Sequence, residues 1–369
     1  MAAPDIVCHV TGNVKHAAHL ADGRELFYFD DADTTLGPDR AVDERELDPR
    51  PATATMRQDV LTGDWISIAA TRQNRVFLPP AEADPLAPQS PGNPSEIPSR
   101  YDVAVFENRS PSFGPGLGEV DTDGIGFGRI VPANGRCEVV CFSPETEGSL
   151  ATQTVARVRT VIEAWADRTG ALSALPGVRQ VFPFENRGEA IGVTLHHPHG
   201  QIYAYPYITP RTQRSLAAAD AVGGDLLGQV LDRERSNERV ILAGEHWTAF
   251  VPFAARWPLE VHLLPHRPVA DFAGTTDAER DELAPLYRRL LRGIDALYEG
   301  PTPYIAGWHQ APVGMGGDRL RLHLELTSPR RAADKLKYLA GSESAMGAWI
   351  GDVVPERQAE QLRDAVGRA

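Results

Sequence analysis

Apolar residues recur along this chain with two periods, which divide it into short extended runs and a few long helices. Between Ser149 and Leu172, Val155, Val158, Ile162 and Trp165 fall at i, i+3, i+7 and i+10, the stripe of a helix with one buried face. A second helix is predicted to open at Thr276-Asp277-Ala278-Glu279. There a threonine hydroxyl and a glutamate three residues on can cap each other's backbone, and Leu283, Leu286, Leu290, Ile294 and Leu297 follow on one face. A period of two marks strands. Leu320, Leu322, Leu324 and Leu326 point one way, and Arg321, His323 and Glu325 point the other. Shorter runs predict strands at Glu25–Phe29, Thr62–Ile68 (a turn, then a strand), Asp102–Glu107, Arg136–Phe142, Gln180–Glu185, Trp247–Pro252 and Glu260–Leu264. Pro79 to Pro98 is a proline-rich loop, and Arg211 to Glu238 is a helical connection broken at Gly223-Gly224.

The order strands, long helix, histidine-bearing strand occurs twice. It predicts an α+β pseudo-repeat with four parts: an N-terminal extension over 1–54, a first domain over 55–210, a connection over 211–239 and a second domain over 240–369.

Charge narrows the partners. The net charge is −13, which argues against a nucleic-acid or anionic-membrane surface. An anionic substrate therefore needs cations gathered locally. Lys15, Lys335 and Lys337 are the only lysines, so nearly all positive charge is arginine. Codon bias explains this, and so does the bidentate grip of arginine on phosphate. Three cysteines make no disulfide framework, and Cys137 and Cys141 read as core residues. With no long apolar run and no signal-peptide core, the expectation is a cytoplasmic protein.

The densest chemistry lies between Gly192 and Tyr203, where His196, His197 and His199 fall within four residues among β-formers. Pro198 cannot donate to a ladder, so the cluster belongs at a strand end, edge or bulge. A neutral His199 ring whose Nδ1 proton is held by a nearby carbonyl, such as that of His197, would leave Nε2 able to attack phosphorus, with Gln201 beside it as a neutral donor. A hydrogen-bonded structural histidine fits the same pattern. Arg72 and Arg75 can clamp a diphosphate or be surface charges. Asn108, after the strand that carries Phe106, can hold ribose hydroxyls or be a turn residue. His309, His323 and Glu325 offer donors suited to a divalent metal, or to a salt-bridge network with Arg321.

The run Phe184-Glu185-Asn186-Arg187-Gly188, then Gly192, then His197-Pro198-His199-Gly200-Gln201, resembles galactose-1-phosphate uridylyltransferases of the histidine-triad superfamily. Thr62-Gly63-Asp64-Trp65, Phe106-Glu107-Asn108, Gly307-Trp308-His309-Gln310 and Lys337-Tyr338-Leu339-Ala340-Gly341 follow in the same order as in that family. The resemblance implies two histidine-triad half-barrels of mainly antiparallel sheet and a homodimer with shared active sites. It implies ping-pong chemistry: UDP-glucose gives its uridylyl group to His199, glucose-1-phosphate leaves, and galactose-1-phosphate takes the group. His197 and Gln201 would be catalytic with His199, and Gln201 would hold the transferred phosphoryl group. Arg72 and Arg75 would contact phosphates, Asn108 and Asn186 would lie near ribose and phosphate, Phe106 would pack on uracil, and Lys337, Tyr338 and Glu343 would line the hexose pocket.

The chain departs from that pattern where the family's zinc-bearing members carry Cys-x-x-Cys; here the sequence is Asp84-Pro85-Leu86-Ala87, and only His197 remains of the zinc set. The expectation is therefore no cofactor for the chemistry and no conventional zinc site. A second divalent site at His309, His323 and Glu325 is left open, with Ser215 near the position of the family's acidic ligand. Ser342 and Trp349 alter the hexose loop, which admits another reading: transfer to a different sugar phosphate, or hydrolysis of a nucleotide conjugate.

Overall fold

The computed structural model describes residues 8–10, 13–70, 78–117 and 128–369. Its strands, in chain order, are β1 (Cys8–Val10), β2 (Asn13–His19), β3 (Glu25–Asp30), β4 (Thr55–Gln58), β5 (Trp65–Ile68), β6 (Val103–Glu107), β7 (Ile130–Pro132), β8 (Arg136–Cys141), β9 (Gln180–Arg187), β10 (His199–Tyr205), β11 (Val240–Ala243), β12 (Trp247–Phe250), β13 (Leu259–Pro265), β14 (Tyr304–His309), β15 (His323–Ser328) and the short hairpin β16 (Arg330–Ala332) and β17 (Lys335–Leu336). Twelve form one antiparallel sheet in the spatial order β1-β2-β3-β6-β8-β10-β9-β14-β15-β13-β12-β11, and β5-β4-β7 make a separate ribbon.

That order is a mirror. Outward from the seam run β9, β10, β8 and β6 on one side and β14, β15, β13 and β12 on the other. In each half the chain lays down two strands, a helix, then the two strands nearest the seam. The helices are α1 (Val155–Ser173) and α4 (Asp277–Asp295), both 19 residues long. The halves join where β9 pairs with β14, Glu185 opposite Ala306 and Phe184 opposite Gly307. The architecture is thus mixed α and β with a mainly antiparallel sheet.

Alternation along each strand sends one set of side chains under the helices. Ile202, Ala204, Ala306, Trp308, Leu324 and Leu326 join Val158, Ile162, Trp165, Leu283, Leu290 and Ile294 in one buried cluster. Its centre is aromatic and spans both halves: Trp165 of α1 lies 5.9 Å from Trp308 of β14, and Phe272 lies 5.5 Å and 4.9 Å from those two rings. Truncating any one of these rings to alanine costs about 3–5 kcal/mol.

The expected helices and strands are present, and the structure adds to or shifts them at several places, among them the unexpected strand β14. Helix α1 starts at Val155, because the Thr154 side chain accepts from the backbone of Arg157 and so fixes the cap. Val155 is therefore a first-turn residue, 40% exposed, while Val158, Ile162 and Trp165 are buried. The segment before residue 54 supplies β2 and β3 to the main sheet, and Phe27 and Phe29 lie in the core. After the short helix α5 (Gly341–Met346), a C-terminal helix, α6 (Pro355–Arg368), packs on α4, where a Cβ at Gly293 would come within 2.2 Å of Val366. The connection over 211–239 forms α2 (Pro210–Ala221) and α3 (Leu226–Glu234), interrupted at Gly223-Gly224 as the sequence suggests. Among the described residues no helix is long and apolar enough to cross a membrane.

Candidate active site

Strand β10 begins at His199 because Pro198 has no N–H to give a ladder. The Pro198 carbonyl instead accepts from Phe142 N at 3.0 Å, and β10 then pairs with β8 and β9 on its two sides. Gly200 faces the helices, where a Cβ would meet both the Phe142 ring and the Phe184 carbonyl at 2.8 Å. No larger residue fits there without moving the strand. His199, Gln201 and Tyr203 are turned to the opposite face.

His199 Nδ1 lies 2.7 Å from the His197 carbonyl oxygen. A carbonyl only accepts, so Nδ1 carries the proton and, in the neutral ring, Nε2 carries the lone pair. Two cavities meet at this ring. One, of about 290 Å³, is lined by His199, Gln201, Asn108, Asn186, Phe184 and Tyr203. The other, of about 410 Å³, runs from His199 past Asn186 and Arg187 to Pro301-Thr302-Pro303. Among the described residues the buried Gln201 Oε1 has no hydrogen-bond partner. An amide oxygen only accepts, so a ligand hydroxyl or N–H can satisfy it, while Nε2 of the same amide is the donor that the side chain offers.

Of the residues suggested for substrate binding, the fold brings Asn108 and Asn186 to the His199 cavity. Phe106 is 3% exposed and pairs across the ladder with Val139, and of the two it is Val139 that lines the cavity. Lys337 and Tyr338 line a different cavity, with Trp257, Ile305, Thr327 and Leu339. There Lys337 Nζ pairs with Glu343 Oε1 at 2.8 Å, and Tyr338 is 79% exposed. Arg72 and Arg75 lie outside the described residues.

His197 points away from the cavity that Gln201 shares, and its side chain is fully buried. Its Nδ1 is 2.6 Å from Asp84 Oδ2, and its Nε2 is 2.7 Å from the Ser143 carbonyl and 3.0 Å from the Tyr101 hydroxyl. Burial pushes the Asp84 carboxyl up, but the hydrogen bond and charge of His197 outweigh it and hold the group below its ordinary value. The sequence drew attention to Asp84 only as a place that lacks a cysteine. It gives no local signal for a partnership with a residue 113 positions away. At this place one histidine, with both ring nitrogens already bonded, and one carboxylate do not make the four-ligand set that a structural zinc takes.

In the second half, His309, His323 and Glu325 do meet. Glu325 lies 3.7 Å from His309 Nε2 and 3.5 Å from His323 Nε2, and the two rings stack at 5.0 Å. Arg211 of α2 pairs with the same carboxylate. Arg321, the partner suggested by the sequence, turns instead to Asp225. Burial lowers the His309 pKa to about 3, so the ring is neutral. The guanidinium takes the carboxylate, and among the described residues no group of three or more His, Cys, Asp or Glu is placed to hold a metal ion.

Two family models match the chain. The galactose-1-phosphate uridyl transferase N-terminal domain covers residues 50–209 and the C-terminal domain of the same family covers 211–367. The chain is 45% identical over 371 aligned residues to a galactose-1-phosphate uridylyltransferase of Streptomyces lividans, covering 95% of this chain and 97% of that one. It is 33% identical to the Thermotoga maritima enzyme of that name, over 84% of this chain and 98% of that one. A solved uridylyltransferase structure superposes with a TM-score of 0.77 at 29% identity, covering 85% of this chain and 99% of that one.

Proposed function

From a chain that belongs to the galactose-1-phosphate uridyl transferase family, and is therefore a nucleotidyltransferase, we propose a route that runs through a uridylyl group carried on His199. The observation that carries it is the Nδ1 bond to the His197 carbonyl, which presents Nε2 at the junction of two cavities.

In the first step the Nε2 lone pair attacks the α-phosphorus of UDP-glucose. The bond to the bridging oxygen breaks, and glucose-1-phosphate leaves with the electron pair. The ring becomes a uridylyl-imidazolium, whose Nδ1–H bond to a carbonyl dipole strengthens as charge develops. The Gln201 amide donates to a non-bridging phosphoryl oxygen and, being neutral, does not repel it. In the second step a phosphate oxygen of galactose-1-phosphate attacks the same phosphorus and His199 departs as the neutral imidazole. Asn108 and Asn186 hold ribose and phosphate. His197 holds the nucleophile through its backbone.

The separation of Lys337, Tyr338 and Glu343 from His199 within one chain supports a homodimer in which a second subunit brings the hexose-binding residues to the cavity. Phe106 supports the uracil side from beside Val139, its cross-strand partner, and Arg72 and Arg75 supply the phosphate cations.

Isotope exchange tests the route. Labelled glucose-1-phosphate should enter UDP-glucose with no galactose-1-phosphate present, and His199→Gly should abolish that exchange. Exchange that requires galactose-1-phosphate would mean direct transfer and overturn the covalent route.

A further inference from the structure

The nucleophile is held by a carbonyl, and that carbonyl belongs to a residue whose side chain is itself clamped. The His197 ring is locked from both nitrogens, by Asp84 at 2.6 Å and by the Ser143 carbonyl at 2.7 Å. Asp84 is well placed to serve as a fixed anchor. Its Oδ1 accepts from Leu86 N at 2.9 Å, its backbone carbonyl accepts from Asn93 Nδ2 at 2.9 Å, and it ends the short helical turn Ala81–Ala83. Tyr101 closes the assembly, with its hydroxyl 2.7 Å from the Leu86 carbonyl and 2.9 Å from that of Ser143. Asp84 and Tyr101 line neither of the two cavities that meet at His199.

We propose that Asp84 is a positioning residue for His199, acting through the His197 ring and backbone. The proposal rests on the reading of His199 as nucleophile. The carboxylate fixes the His197 ring, and the ring fixes the orientation of its own peptide. The carbonyl of that peptide, 2.7 Å from His199 Nδ1, selects the tautomer and aims Nε2. With Pro198 between the two histidines, a rotation of the His197 peptide passes directly to the start of β10. A hydrogen-bonded carboxylate thus fixes the histidine ring, as the hydrogen-bond partners of a ligating histidine do at a metal site.

The test uses the full-length protein. Rapid-quench formation of the uridylyl-enzyme at saturating UDP-glucose gives a rate per active site, normalised to the amplitude. Nitrogen-15 imidazole spectra give the His199 tautomer. Asp84→Asn keeps the bond to Leu86 N and removes the charge. It should slow uridylylation by roughly 10–100-fold with the half-saturating UDP-glucose concentration little changed, and should convert His199 from the single Nδ1–H tautomer to a mixture. Asp84→Glu, which restores the charge one methylene further out, should regain part of the lost rate and keeps the question open to test if the Asn variant fails to fold.

A purely structural Asp84 would instead lower thermal stability and the active fraction and leave the rate per active site unchanged. A normalised rate within about twofold of wild type, with the His199 tautomer unaltered, would overturn the proposal. A wild-type protein that forms no uridylyl-enzyme at all would overturn the nucleophile reading, and this proposal with it. A wild-type uridylyl-enzyme matched by Asp84→Asn would overturn only the role of Asp84.

Discussion

The two halves of the sheet hold the same device in two states. On β10, His199 Nδ1 donates to the carbonyl two residues back at 2.7 Å, and on β15, His323 Nδ1 does the same to Arg321 at 2.8 Å. The strands occupy mirror-related places, and both rings face away from the helices. What differs is the residue two positions on. Gln201 offers a neutral amide, whereas Glu325 offers a carboxylate already engaged by Arg211 and lying within 4 Å of two imidazoles. A phosphate approaching His199 finds a donor. A phosphate approaching His323 would meet an acceptor-only carboxylate already paired with a guanidinium, and so would gain no donor from that residue. Under the proposed route, orienting an imidazole is not sufficient for nucleophilic catalysis; the charge and hydrogen-bonding character of the neighbour would decide which copy reacts.

The sharpest way to break this comparison is to remove each histidine in turn. His199→Ala should lower turnover by at least about 10³-fold, and His323→Ala should leave it within a few-fold, both read in a steady-state uridylyl transfer assay. Comparable losses in the two would mean the halves are not functionally distinct. A gentler change makes the active half imitate the silent one. Gln201→Glu should cut the uridylylation rate by about 10²–10³-fold, the scale of losing one aimed donor, with the far-ultraviolet spectrum unchanged.

How far the sequence carried this reading is visible at particular residues. The capping box at Thr276 and Glu279 formed as predicted, because it is a local pattern. The alternation that predicted β15 also placed His323 and Glu325 on one face. The Gly200-Gln201 pair after His199 was legible for the same reason. Strand β14 (Tyr304-Ile305-Ala306-Gly307-Trp308-His309) was missed because its identity as a strand comes from pairing with β9, more than 100 residues away. Helix α6 was missed because its buried stripe, Ala359, Leu362, Ala365 and Val366, is narrow within a charged segment. Asp84 with His197 and Arg211 with Glu325 are long-range pairs that no local pattern encodes.

The seam between the halves gives a smaller test with a sign that can be worked out. Glu185 of β9 is buried against Tyr304 of β14, 3.1 Å from its hydroxyl, and burial raises its pKa to about 7, partly opposed by Arg187. In the unfolded chain it titrates near 4.5, so between that pH and about 7 the folded state holds a proton the unfolded state has lost. The protonated pair is fully favourable below pH 4.5, and the folded state pays a growing penalty as pH rises to about 7. Glu185→Gln should remove this penalty, stabilising the protein at pH 8 relative to wild type by an amount on the order of 1–3 kcal/mol. The gap should close toward pH 4.5, as read from urea midpoints. A gap independent of pH would contradict the assignment. The smallest expected effect is at Arg211→Ala. Removing this partly exposed guanidinium should cost about 1 kcal/mol and leave uridylylation per active site unchanged, because the Arg211–Glu325 pair belongs to the silent copy.

The central claim is tested most directly by the intact mass of the protein after mixing with UDP-glucose. The account predicts a gain of one uridylyl group in the wild type and in His323→Ala, none in His199→Gly, and discharge of the gained mass on adding galactose-1-phosphate. A uridylyl gain that persists in His199→Gly, or its absence from the wild type while glucose-1-phosphate is released, would contradict it.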